Sequence, residues 1–186
     1  MLKNIEIYHK IKFMYKKQNI FLILVAIIIF SGCTKDQHFL FEMGFQRDFE
    51  IKAGLNTVEE HNFVLNNFNV DTAGNLGTRG LTYNKLNGIF PSTMQLQNVS
   101  SGAALNFIYD VSVLIVDKEN PNVSLEAFYR EPVPTDTGIQ LDLVPTLADF
   151  KQILIKNNFD VRVKIRVRNI TPEFITARLI FKLGVK

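Results

Sequence analysis

Hydrophobic and polar residues alternate along most of the chain beyond residue 38, which is the pattern of β-strands with one face in a core. In residues 161–167 every second residue is Val or Ile, and the residues between them are Arg or Lys. Residues 175–181 alternate in the same way after a Thr-Pro-Glu turn. The two segments predict a closing β-hairpin. The cations at 162–168 predict a solvated sheet face that resists edge aggregation, rather than an anion-binding stripe.

Other strand-like segments lie at 39–45, 49–53, 63–65, 94–99, 105–116 and 124–129. The run at 105–116 is the longest and is rich in β-branched and aromatic residues, so it predicts a central strand buried on both faces. A polar turn at 117–122 follows it, and a further short strand comes next. This arrangement predicts a second hairpin.

One segment, at 146–156, has the spacing of a helix. Leu147, Phe150, Ile153 and Leu154 would share one face, and Thr146 is in position to cap the first turn. The whole pattern predicts an all-β fold: an antiparallel β-sandwich of about eight strands, immunoglobulin-like or jelly-roll, with one short helix. Two connections, 71–88 and 131–138, are rich in Gly, Pro and turn residues, and we expect them to make contacts.

The first 32 residues have the composition of an export signal. Five Lys and one Glu lie within residues 1–19, and an unbroken apolar run, IFLILVAIIIF, fills residues 20–30. A membrane span needs about 20 apolar residues, so this run is too short to be one. A basic start, a short apolar core and small residues at the end predict a secretory signal peptide.

The end of this segment, Phe30-Ser31-Gly32-Cys33, resembles the lipobox of bacterial lipoproteins. The resemblance implies that residues 1–32 are removed and that the Cys33 thiol carries the lipid, with palmitate among the acyl chains. It also implies an envelope location in a Gram-negative bacterium. Thr34 in place of Asp is similar to the pattern of outer-membrane lipoproteins. Residues 33–38 would then be a linker, and residues 39–186 a single domain.

Removal of the signal changes the charge of the protein. The full chain of 186 residues has a formal net charge of +3, but the part after residue 32 keeps 16 basic and 17 acidic residues. Without a basic excess, phosphate backbones would not be neutralised, so nucleic-acid binding is disfavoured. With a single Cys, the chain cannot form an intrachain disulfide or a multi-cysteine metal site.

The sequence contains no recognisable catalytic constellation. No G-x-S-x-G, P-loop or G-x-G-x-x-G motif is present. Only His38 and His61 remain after the signal, and His61 beside Glu59 is at most the beginning of a metal site. We therefore expect no enzyme activity, no metal and no cofactor, and we expect the replacement of His61 by Ala to leave folding nearly unchanged.

The best candidates for ligand contact are aromatic or cationic residues in or beside the long connections: Tyr83, Tyr129 and Arg130. Core or rim packing is the more common role of such rings. The first hypothesis is a lipid-anchored envelope protein that acts as a binding or assembly module, with a protein or glycan partner. The alternatives are a small envelope hydrolase or carbohydrate-binding protein, and a fimbrial or adhesin-type surface subunit.

Overall fold

The structure, a computed structural model, describes residues 38–186. The signal segment 1–32, Cys33 and most of the linker 33–38 lie outside the described residues. Eight strands, the predicted number, fill most of the described chain: β1 (Phe41–Ile51), β2 (His61–Asn69), β3 (Ile89–Asn98), β4 (Ile108–Asp117), β5 (Ser124–Arg130), β6 (Gln140–Pro145), β7 (Asn158–Val167) and β8 (Ile175–Val185). The predicted segments 39–45 and 49–53 belong to one strand, β1, and no predicted segment covers β6.

The strands form two antiparallel layers. The front sheet has the order β1-β8-β3-β6, and the back sheet has the order β2-β7-β4-β5. Except for the β4–β5 hairpin, each link between consecutive strands joins a strand of one sheet to a strand of the other. This double Greek-key order is that of a jelly roll, one of the two sandwich types that the sequence predicts.

The two sheets are continuous at one edge, where β6 pairs with both layers. Its residues 140–143 pair with β3, and Val144 and Pro145 pair with β5. At the opposite edge, β1 and β2 face each other through side chains. Phe45 and Phe181 from the front sheet meet Phe68 and Phe159 from the back sheet, with ring centroids 5.4–6.2 Å apart between the sheets. These rings close the edge of the sandwich at which β1 and β2 are not paired through their backbones.

The predicted pairing of the last two strands is wrong. Strand β7 lies between β4 and β2 in the back sheet, whereas β8 lies between β1 and β3 in the front sheet. Their alternate residues are buried, as predicted, because both strands line the core between the sheets. The connection at 168–174 therefore crosses between layers instead of turning within one.

Strand β4 is central, as predicted, but only one of its faces is fully buried. Val111, Val113 and Ile115 point into the core, whereas Tyr109 is exposed on the other side. The start of the predicted strand, Leu105–Phe107, is instead a 3-10 turn. The hairpin of β4 with β5 is confirmed.

The predicted helix at 146–156 is present but shorter. A second short helix, α1 (Thr72–Gly77), lies in a connection for which the sequence predicts no regular structure. The Asp71 side chain caps it by accepting a hydrogen bond from Gly74 N. The predicted helix, α2, covers only Lys151–Leu154 and begins after Phe150, not after Thr146. Thr146 instead donates its hydroxyl to the carbonyl of Glu126 on β5.

The connections fall at two ends of the sandwich. The near end is where the described chain begins and consists of residues 38–40, 70–88, 118–123 and 146–157 together with Lys186. The far end consists of 52–60, 99–107, 131–139 and 168–174. Backbone hydrogen bonds tie the connections of each end together, for example Phe150 N to Ile89 O (2.8 Å) at the near end. The long connections 71–88 and 131–138 therefore lie at opposite ends and cannot form one surface.

Candidate functional site

The three predicted contact residues do not converge. Tyr83 lies in a 3-10 turn at the near end, packs against the core, and buries a hydroxyl that has no hydrogen-bond partner among the described residues. Tyr129 is exposed on the outer face of β5, next to Ser112 of β4. Arg130 follows at the end of β5 and is half-buried. Tyr83 therefore packs against the core, and Tyr129 is the most exposed of the three.

The cations of β7 are largely paired within the protein. Lys164 Nζ lies 3.0 Å from a carboxylate oxygen of Glu60. Arg166 forms an ion pair with Asp110, and this hydrogen bond raises the pKa of Arg166. Arg168 donates to two backbone carbonyl groups. Three of the four cations on this strand face are thus held by acceptors of the protein, which agrees with a structural role.

His61 is held by its own turn. Its Nε2 lies 2.8 Å from the carbonyl oxygen of Asn56. Glu59 accepts a hydrogen bond from Asn56, and Glu60 forms an ion pair with Lys164. Among residues 38–186, no group of three or more His, Cys, Asp and Glu side chains is placed to hold a metal ion. The same residues contain no helix long and apolar enough to span a membrane.

A cleft of about 280 Å³ lies at the open edge between β1 and the end of β2. Two carboxylates line it, Glu42 and Asp71. Glu42 accepts hydrogen bonds from Ser92 and Lys182, and the Ser92 hydroxyl is the main cause of its lowered pKa. Asp71 caps helix α1 by accepting from Gly74 N at 2.8 Å. Because both acids are already bonded, the cleft offers no free acid–base pair.

The connections of the far end are held by hydrogen bonds, many of them to Asn98. Asn98, which is almost fully buried, donates to Ser101 Oγ (2.9 Å) and to the carbonyl of Ala103 (2.8 Å), and its side-chain oxygen accepts two backbone N–H groups. Its own N–H donates to Ile139 O at 2.8 Å. Gly54 N donates to Thr171 O at 3.0 Å. These bonds link the connections of the far end to one another.

Large apolar side chains are exposed on these rigid connections. We call them the far-end patch: Val58, Val99, Ile139, Ile170 and Phe174. Val58 is 90% exposed, and Phe174 is 50% exposed. The patch spans all four far-end connections, and two of its members, Val99 and Ile139, flank or bond Asn98. Single exposed apolar residues are common, but a cluster on one end is typical of an interaction surface.

Carboxylates predominate among the charged residues around the patch. The far-end connections contain two bases, Lys52 and Arg168, and five acids, so their side-chain charge is −3. The acids are Glu59, Glu60, Glu131, Asp136 and Glu173. Glu60 and Glu131 form ion pairs with Lys164 and Arg166 of β7, which leaves Glu59, Asp136 and Glu173 as the acids without an ion pair among the described residues. An apolar centre with an acidic rim fits a partner that has an apolar centre and a basic rim.

Sequence reasoning identified one connection of this patch, 131–138, but not the patch itself. One sequence feature that points to the patch lies in residues 168–174, where the apolar residues Ile170 and Phe174 flank the Thr-Pro-Glu turn. Apolar residues beside a polar turn ordinarily belong to the adjoining strands, so the local sequence does not mark these two residues as part of a surface. Only the strand order shows that this turn meets three other connections.

No protein-family model matches the chain, and no curated protein matches it. A solved chain titled Desmodium yellow mottle tymovirus is similar over 78% of this chain and 82% of that one, with 10% sequence identity and a TM-score of 0.23.

Proposed function

We propose that this protein is a lipid-anchored module of the Gram-negative cell envelope, held in the outer membrane through Cys33. In this proposal, the jelly roll binds a partner protein through the far-end patch and carries out no reaction itself. The observation that carries the binding role is the cluster of exposed apolar side chains on four hydrogen-bonded connections. The lipobox-like segment at 30–33 supports the anchor.

The geometry favours a protein over a glycan as the partner. Sugar-binding surfaces use flat aromatic rings, and the patch has only one, Phe174. Its other members are Val and Ile, which suit apolar side chains of another protein. Because the connections are already tied by hydrogen bonds, little loop ordering is needed on binding, which lowers the entropic cost of association.

The anchor is tested by the mass of the mature N-terminus. We expect the protein isolated from its envelope to begin at Cys33 and to carry acyl chains, and we expect cells fed labelled palmitate to label it. A Cys33→Ser variant should remain unlabelled. A mature chain that begins at Met1, or an unmodified Cys33, would show that the anchor is absent.

The binding surface is tested by site-specific photo-cross-linking in intact cells. A photoreactive amino acid at position 174 should give a discrete adduct of constant mass, and the same group at the exposed Thr93 on the front sheet should not. Ile139→Asp should abolish the adduct at 174 because it places a charge in the patch. If position 93 gives the same adducts, or if Ile139→Asp has no effect, the patch is not a binding surface.

A further inference from the structure

The chain enters the domain at a fixed point of the near end. The ring of Phe39 lies against Gly184 of β8, so close that a Cβ at Gly184 would overlap it. The ammonium group of Lys186 lies 5.4 Å from the Phe39 ring centroid and 5.0 Å from that of Phe90. Leu40 N then donates to Val185 O at 2.7 Å. These contacts fix where the preceding chain leaves the domain.

Only a short tether separates this point from the proposed anchor. Phe39 follows Cys33 by six residues, and an extended chain spans at most about 3.5 Å per residue, so the tether reaches about 20 Å. A domain held this closely would meet the bilayer surface often. The near end is the part of the domain that the tether attaches to.

The near end differs in charge from the far end. Its connections and Lys186 contain six bases and three acids, which gives a side-chain charge of +3. The bases are Arg79, Lys85, Lys118, Lys151, Lys156 and Lys186, and the acids are Asp71, Glu119 and Asp149. Lys156 is bound by Asp117 and Glu119. When that ion-paired cluster is set aside, five bases and two acids remain.

The near end also exposes apolar side chains at its tips. Leu147 is 81% exposed and Leu40 is 59% exposed. The connection that carries Leu147 is bonded to the strand beside the point where Phe39 enters the domain. Asp149, two residues after Leu147, accepts a hydrogen bond from Ile89 N at 2.9 Å. The residue before Ile89, Gly88, accepts from Lys186 N at 3.0 Å. Apolar tips among lysines are the features of a surface that lies at a bilayer interface.

We propose that the near end is a membrane-contact surface, with Leu147 and Leu40 entering the interface and the neighbouring cations meeting anionic lipid headgroups. This inference rests on the proposed anchor, and it orients the domain with its near end toward the bilayer. Anionic headgroups attract lysines near a membrane surface, and one acyl anchor is strengthened by a second, weaker contact. The acidic far end is then directed away from the bilayer.

The test uses the absence of Trp from the chain. Leu147→Trp and the matched far-end variant Val58→Trp each place one indole at a highly exposed position. The mature lipidated proteins, which begin at Cys33, are reconstituted into vesicles of brominated phosphatidylcholine with or without phosphatidylglycerol. We expect bromine to quench the indole at position 147 when phosphatidylglycerol is present and to leave the indole at position 58 unquenched. Equal quenching at the two positions, quenching at position 58 alone, or quenching at neither would overturn the membrane-contact surface.

A charge variant tests the role of the lysines. In phosphatidylglycerol vesicles at low salt, Lys85→Gln added to the Leu147→Trp protein should lower the quenching about twofold or more, whereas Lys52→Gln at the far end should not change it. If Lys85→Gln and Lys52→Gln behave alike, headgroup attraction does not hold the near end. The mass of the N-terminal peptide reports the anchor separately. If acyl chains are missing, the proposed function fails, and quenching of the indole at position 147 in excess vesicles still decides the surface.

Discussion

Phe181 is the residue whose loss should most directly test how the two sheets are held together. It is 1% exposed, and its ring centroid lies 5.0 Å from that of Phe45, 5.6 Å from that of Phe68 and 6.4 Å from that of Phe128. These partners come from both sheets. The replacement Phe181→Ala would leave a cavity between the layers near the edge that has no backbone pairing.

The expected loss follows from the burial of the ring. A buried aromatic side chain removes about 150–250 Å² from water, and Phe→Ala in a core costs about 3–5 kcal/mol. Because three rings lose a partner, we expect the upper part of that range, about 4–5 kcal/mol. For a domain of this size, this corresponds to a fall in Tm of about 10–15 °C.

The measurement is urea and thermal unfolding followed by circular dichroism. The matched control is Phe174→Ala, which removes the same ring from a half-exposed position just before the same strand. We expect the control to lower the free energy of unfolding by less than about 1 kcal/mol. Equal losses for the two variants would refute the argument that the ring cluster joins the sheets.

Three further outcomes are expected. Hydrogen bonds to Lys156 and Arg178 lower the pKa of Asp117 and of Asp48, respectively, below the ordinary value of 3.8. The unfolded chain therefore binds more protons as the pH falls through this region, so stability measured by urea titration should be full near neutral pH and should decline below about pH 5. Gly184→Val should displace the Phe39 ring and raise protease cleavage before residue 41, while the far-UV circular dichroism of the sheets is kept. His61→Ala should change the midpoint of unfolding little, since its hydrogen bond is worth about 1 kcal/mol at most; a large loss would contradict this.

The alternation of residue types predicts seven of the eight strands, all but β6, but not their partners. In β7 and β8 the pattern identifies which side chains are buried, and the structure agrees at every second position. Burial by itself does not say which strand lies alongside. In a jelly roll the neighbours of β8 are β1 and β3, which are distant in sequence, so the choice is made by packing of the two layers.

The candidate contact surface was less accessible to sequence reasoning than the fold. The position of Tyr83 in a long connection predicts a contact residue, but that connection folds against the core. The far-end patch depends on four connections meeting at one end. The local sequence around Val58 or Ile170 does not indicate that the two residues lie at the same end of the sandwich. Their placement follows only from the topology.

The pairing of the first strand with the last has a consequence for biosynthesis. Phe41 lies opposite Val185, so strand β1 has no partner until residues 175–185 have been made. Contacts between such distant segments close large loops and make folding slow. A newly synthesised chain would therefore keep the backbone N–H and C=O groups of β1 without their native partners, and open to wrong pairing, until β8 has emerged.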